Sequence, residues 1–131
     1  MNFYDYQVFT DTTAIYKESI RKYVDSLEIP NKEKAEDLYE FLSLVYAVLG
    51  LTNEAGEVAG KLKKIIRDKN CEISFEDVNN IGDEVGDVFW YQAQTLNNLQ
   101  NLNGDAILNS NIQKLNSRKE RGVLQGSGDK R

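Results

Sequence analysis

Histidine is absent from this chain, and cysteine, proline, methionine and tryptophan occur once each in 131 residues. Each shortage excludes something. Without histidine there is no Ser-His or Cys-His catalytic pair, no imidazole ligand for zinc, and no Glu-x-x-His element of a di-iron carboxylate bundle. A lone Cys71 cannot close an internal disulfide. The longest apolar run, 41–51 with Ser43 inside it, is about half the length that crosses a bilayer. The opening MNFYDYQ has neither the basic nor the apolar part of a signal peptide, so a cytoplasmic location is expected. Sixteen basic residues against twenty-one acidic ones give a net charge of -5. That balance argues against a nucleic acid polymer as partner but leaves room for a small phosphate compound held locally.

Positive charge is also missing locally. Between Lys69 and Lys114 there is neither lysine nor arginine, while Glu72, Glu76, Asp77, Asp83, Glu84, Asp87 and Asp105 all fall there. Basic residues crowd both flanks, as Lys61, Lys63, Lys64, Arg67 and Lys69 on one side and Lys114, Arg118, Lys119 and Arg121 on the other.

What is present has helical period. Apolar residues at 15, 20, 23, 24 and 27 predict a first helix over 10–27, with Asp11, Thr12 or Thr13 as N-cap. Pro30 breaks it, and the polar stretch 31–36 reads as a loop or a frayed start. From about Asp37 a second, long helix runs to Lys69 or Asn70. Its segment 41–51 has no wet face and is expected to be buried on all sides. Gly50, Gly56 and Gly60 suggest a close approach, or a kink at Gly50. Ser74 and Asp77 form a capping box opening a third helix, which Asn103-Gly104 should stop. A short last helix over 105–120 and a glycine-containing tail complete an all-α, antiparallel bundle of four or five helices in one domain, 1–131.

Two acidic pairs stand out. Glu54 and Glu57 lie three residues apart, and Glu84 and Asp87 repeat that spacing after 26 intervening residues. On a helix each pair shares a face, and the interval suits a turn between antiparallel helices. Packed side by side, they bring four carboxylates to one point, which is tolerable only around a cation. The second pair has no basic neighbour and precedes an apolar turn, Val88-Phe89-Trp90-Tyr91. For the first pair a plainer reading exists, since Glu57 and Lys61 also make the i,i+4 pair of any exposed helix. An all-oxygen site favours Mg²⁺, or Mn²⁺, completed by substrate phosphates. Chemistry alone thus reaches metal-assisted hydrolysis of a phosphate ester or anhydride, with a metal-activated water as nucleophile.

YAVLGLTNEAGEVAGKLKKIIRD and GDEVGDVFWY resemble the MazG-like all-α nucleoside triphosphate pyrophosphohydrolases, whose hallmark is E-x-x-E followed by E-x-x-D. YDYQVFTDTTAIY is similar to their first helix, and NIQKLNSRKERGVLQGSGDKR to the basic C-terminal segment of small phage or bacterial members. The resemblance implies hydrolysis of a nucleoside or deoxynucleoside triphosphate to monophosphate and pyrophosphate, with Mg²⁺ on Glu54, Glu57, Glu84 and Asp87. It implies Glu57 as the acid that orients or deprotonates the water, and Lys61 and Lys64 on the phosphates with Lys114, Arg118 and Arg121. Tyr91 and Gln7 would meet the sugar or base, the basic tail from about residue 119 could close over the phosphates, and the assembly would be a homodimer or homotetramer. Two rivals are a non-catalytic helical nucleotide-binding or assembly protein and a carboxylate-bridged redox site; the missing histidines speak against the second.

Overall fold

Asn31 starts the longest element by accepting a hydrogen bond from the Lys34 N–H, and the computed structural model, which describes residues 1–128, then shows helix without interruption from Lys32 to Asp68. Around this α3 are α1 (Phe3–Asp11), α2 (Tyr16–Ser26), α4 (Phe75–Asn97) and α5 (Gly104–Glu120), and no strand occurs among the described residues. α3 and α4 form the central antiparallel hairpin, with pairings that step from Tyr46–Tyr91 through Lys61–Glu84 to Lys69–Asp77. α2 packs antiparallel on α3 through Arg21, whose guanidinium bonds Glu36 at 2.9 Å and covers the Tyr39 ring at 3.6 Å. α1 lies along α4, and α5 meets the start of α1.

The helix expected over 10–27 is α2, which starts only at Tyr16, and the chain before it forms α1, which apolar period did not predict. Thr10, Thr12 and Thr13 each donate their hydroxyl to the carbonyl three residues back, at 2.8, 2.7 and 3.0 Å. These local bonds compete with helix propagation, so the chain turns at 12–15. None of Asp11, Thr12 or Thr13 is the cap; α2 starts at Ile15 with no side-chain cap bond. The stretch 31–36 is helical nearly throughout rather than loop, because Asn31 supplies the missing acceptor. The Ser74–Asp77 capping box is present on both sides.

Asn103-Gly104 does not stop the third helix. α4 ends at Asn97, a turn with left-handed Gln100 and Asn101 (both φ 55°) follows, and Asn103 instead caps α5 by accepting from the Ala106 N–H at 3.0 Å. Gly104 is required there because the Phe3 ring and Gln7 Oε1 occupy the space of any side chain. From Gly122 to Gly128 the tail is non-helical, as expected; residues 129–131, the last part of that tail, lie outside the described residues.

The expectation for 41–51 is inverted in the single chain. The residues it buries there are small, Ser43 and Ala47, and with Gly50 they form a stripe facing the other helices. Leu42, Leu44, Val45 and Leu51 are half-buried, while Phe41 and Leu49 face out, 62% and 65% exposed. Small side chains on the inner stripe let α2 and α4 approach closely, and part of the bulky set is left on the opposite face.

Much of the inner packing is polar. Gln7 and Gln94 are the largest fully buried side chains. Gln94 accepts from the Tyr16 hydroxyl at 2.8 Å and donates to Thr10 Oγ1 at 2.9 Å, and Asn98 donates to the same Tyr16 oxygen at 2.7 Å. With both ends of the Gln7 and Gln94 carboxamides satisfied, such a network fixes the register of α1 and α2 on α4 as apolar contacts alone would not.

Candidate functional site

The hairpin of α3 and α4 brings carboxylates from both helices to one place. Glu54, Glu84 and Asp87 each offer an oxygen, and these three lie within 4.8 Å of one another. Glu54 and Glu84 are half-buried and Asp87 is exposed. Glu57 is not in this group: three residues round the helix from Glu54, it points to solvent.

Lys61 reaches across the hairpin rather than along its own helix. Its ammonium stands 3.1 Å from Glu84 Oε1, so it is tied to α4 and not, as the i,i+4 spacing suggested, to Glu57. One ammonium thus meets one of three converging carboxylates. An all-oxygen donor set with this excess of negative charge fits a hard divalent cation, and the two helices of the hairpin fix the three acids that would hold it.

One turn along, an aromatic group supports the acids. Tyr46 stacks on Tyr16 with ring centroids 4.3 Å apart, and Trp90 packs edge-on to Tyr91 at 4.9 Å. The Trp90 indole N–H donates to Thr13 Oγ1 at 2.8 Å, which locks that level of α4 to the turn after α1. The Tyr91 ring lies over Gly50, a side chain where the glycines suggested another backbone or a ligand; a side chain at Gly56 or Gly60 would meet nothing, and α3 passes through without a break. Burial, followed by Tyr46, Glu54 and Asp87, pushes the Tyr91 phenol up to about 12. It is therefore a neutral hydroxyl at the edge of the acid group. Burial and then Asp87 also raise the Tyr6 phenol, which the sequence reading did not single out and which its place in an aromatic-rich N-terminus could have suggested.

The remaining expected residues scatter. Lys64, Lys114 and Arg121 are exposed. Arg118 is only 6% exposed, so the guanidinium expected on phosphate is packed into the chain. Gln7 is corrected most clearly: its carboxamide donates to Asn97 Oδ1 at 2.8 Å and to the Leu102 carbonyl at 2.7 Å and accepts from the Gly104 N–H at 2.9 Å. It ties α1 to the α4–α5 turn and has nothing left for a sugar or base.

Residues 43–123, which contain all four acids of the two pairs, match the MazG nucleotide pyrophosphohydrolase domain. The chain belongs to the MazG family. It is also 41% identical over 126 residues to the Gene 37 protein of Mycobacterium phage L5, covering 96% of each chain. No solved structure matches it significantly. The MazG match takes in α3 from residue 43 onward, α4 and α5, and so includes the hairpin that carries the acids. α1 and α2 precede it and are covered by the phage relative. No helix among the described residues is long and apolar enough to cross a membrane.

Proposed function

We propose that this MazG domain hydrolyses nucleoside or deoxynucleoside triphosphates to the monophosphate and pyrophosphate. The observation that carries the reading is the convergence of Glu54, Glu84 and Asp87 from two helices, with Lys61 at their edge. These three acids would hold Mg²⁺, or Mn²⁺ in its place. Bound there, the ion supplies a water acidic enough to attack at neutral pH and screens the phosphate charge.

Glu57, exposed one turn from Glu54, is the acid assigned to the water: it accepts the proton as the oxygen bonds to phosphorus and the bond between the α- and β-phosphates breaks. Lys61 and Lys64 lie on the same helix beyond the acids and neutralise phosphate oxygens, with Lys114 and Arg121 contributing from α5 or from a second subunit. The neutral Tyr91 hydroxyl donates to the sugar or base. Gln7 and the buried Arg118 have structural roles instead.

The outward face of α3 supports assembly. A single chain that leaves Phe41, Leu49 and Ile66 each more than 60% exposed has a surface suited to a second copy, as a homodimer or homotetramer. A cytoplasmic site of action fits a chain that meets free nucleotides.

Product analysis with each common NTP and dNTP, in Mg²⁺, Mn²⁺ or EDTA, tests the proposal. Monophosphate and pyrophosphate appearing only with metal is the expected result. Orthophosphate release would keep the metal site and move the cleaved bond; no product from folded protein would leave a nucleotide-binding or assembly role.

A further inference from the structure

Lys61 holds an unusual position for a residue meant to bind phosphate. Its ammonium is spent on Glu84, one of the three acids suited to the metal, at 3.1 Å. The lysine side chain is 35% exposed and that of Glu84 only 19%. The contact is therefore partly shielded from water, which strengthens it, yet the lysine stem keeps an open path to solvent. Counted by charge, the group is three carboxylates and one ammonium, leaving two negative charges. A dication next to that ammonium would repel it at short range.

We infer that Lys61 is an exchangeable countercation: its ammonium and a divalent ion compete for Glu84, and metal binding frees the lysine for a substrate phosphate. This deepens the pyrophosphohydrolase reading of the same site and rests on it. Seven residues, two helical turns, separate Lys61 from Glu54, so both project from one side of α3. Four rotatable bonds let the ammonium leave Glu84 and still reach oxygen atoms gathered at the acids. Lys61 is thus a positioning residue before substrate arrives and a ligand of the substrate afterwards. Charge at the site stays matched at both stages, because the lysine leaves a carboxylate only when a cation replaces it and then meets a phosphate.

Mn²⁺ titration of the full chain without nucleotide, read by calorimetry or by the electron paramagnetic resonance of free Mn²⁺, separates this from a purely structural ion pair. Lys61→Met should bind Mn²⁺ about tenfold more tightly than the native chain, and Lys61→Arg close to the native value. In saturating Mn²⁺ the same Lys61→Met should bind a non-hydrolysable triphosphate at least about tenfold more weakly. Unchanged or weaker Mn²⁺ affinity in Lys61→Met overturns the exchange while leaving the metal site standing. Mn²⁺ binding by neither protein overturns the metal reading and the exchange with it. Lys61→Gln, with its helical circular dichroism checked, serves the same comparison if methionine disturbs the helix.

Discussion

The ring of Tyr91 fills the space in which a side chain at position 50 would stand. Gly50 is a glycine for that reason: an added Cβ would stand far inside van der Waals contact distance of three ring carbons. The pair joins α3 to α4 one turn from the acid group, where Tyr91 also feels Glu54 and Asp87. Gly50→Ala should therefore destabilise the fold by about 1–2 kcal/mol, an overpacking cost of about 1–3 kcal/mol offset in part by alanine's better helix propensity. Urea denaturation measures it. Adding Tyr91→Ala should recover part of the loss, a non-additivity expected only of residues in contact; a Gly50→Ala chain as stable as the native one would contradict the packing described.

Removing a carboxylate from the trio should separate chemistry from folding. Asp87→Asn and Glu84→Gln are expected to lower turnover at least about a hundredfold, with the helical circular dichroism retained. Glu57→Gln should behave differently, because Glu57 stands outside the trio. Its turnover should fall by a factor of about 10²–10⁴ while Mn²⁺ affinity stays near the native value. A tenfold loss of Mn²⁺ affinity in Glu57→Gln would make it a fourth ligand instead.

Asp77 predicts an acid limb. Lys69, at 2.7 Å, and then Ser74 hold its carboxyl well down, to about 2. A carboxyl whose pKa is lower folded than unfolded stabilises the fold above its ordinary value and loses that contribution as pH falls through the folded value. The melting temperatures of the native chain and Asp77→Asn should differ at pH 7 and down to about pH 4, and converge towards pH 2. A gap that persists undiminished at pH 2 would assign the effect to the cap geometry alone.

At the alkaline end the sign reverses. Burial pushes the Tyr16 phenol up to about 12, so the folded chain keeps a proton that the unfolded chain releases near 10. This contribution is complete below pH 10 and is lost as pH rises towards 12. Ultraviolet titration at the tyrosinate band should show Tyr16 and Tyr91 ionising only towards pH 12. Tyr16→Phe, which leaves Gln94 and Asn98 without the shared hydroxyl, should cost about 1–3 kcal/mol and remove one of the two late phenols.

Sedimentation equilibrium should give a mass of at least two chains. Leu49→Glu, a charge placed on a side chain 65% exposed in the single subunit, should shift the mass towards one chain without loss of helix content. A native chain that sediments as a monomer at all concentrations would remove the assembly proposal.

α2 to α5 and the α3–α4 hairpin could be read from apolar period, the Ser74–Asp77 box and the two acidic pairs, because each is a local signal; α1 could not. The capping box and the close approach at Gly50 were legible for the same reason. What escaped depends on competition or distance. Three threonine hydroxyls bond back at the end of α1, and the helix expected from residue 10 starts only at Tyr16. Asn103-Gly104 fits a helix end and a helix start equally well, and only Phe3 and Gln7, almost a hundred positions away, decide between them. Period also cannot tell which side of an all-apolar stretch faces its own chain; Ser43 and Ala47 are buried there and Tyr46 packs on Tyr16, while Phe41 and Leu49 face out. Within the acid group, spacing placed Glu54 and Glu57 on one face, but the crossing of α3 by α4 selects Glu54 alone to meet Glu84 and Asp87.

The meeting of α1 and α5 has a consequence for synthesis. Asp105 accepts from the Phe3 and Tyr4 N–H groups at 3.1 and 3.4 Å across 102 and 101 positions, and so supports the first turn of a helix translated about a hundred residues earlier. A nascent chain carries α1 with its N-terminal amides lacking this acceptor until α5 leaves the ribosome. Contacts of such long sequence separation form late in folding. α1 then docks among the last elements, and with it the Thr13 bond that steadies Trp90 beside the acids.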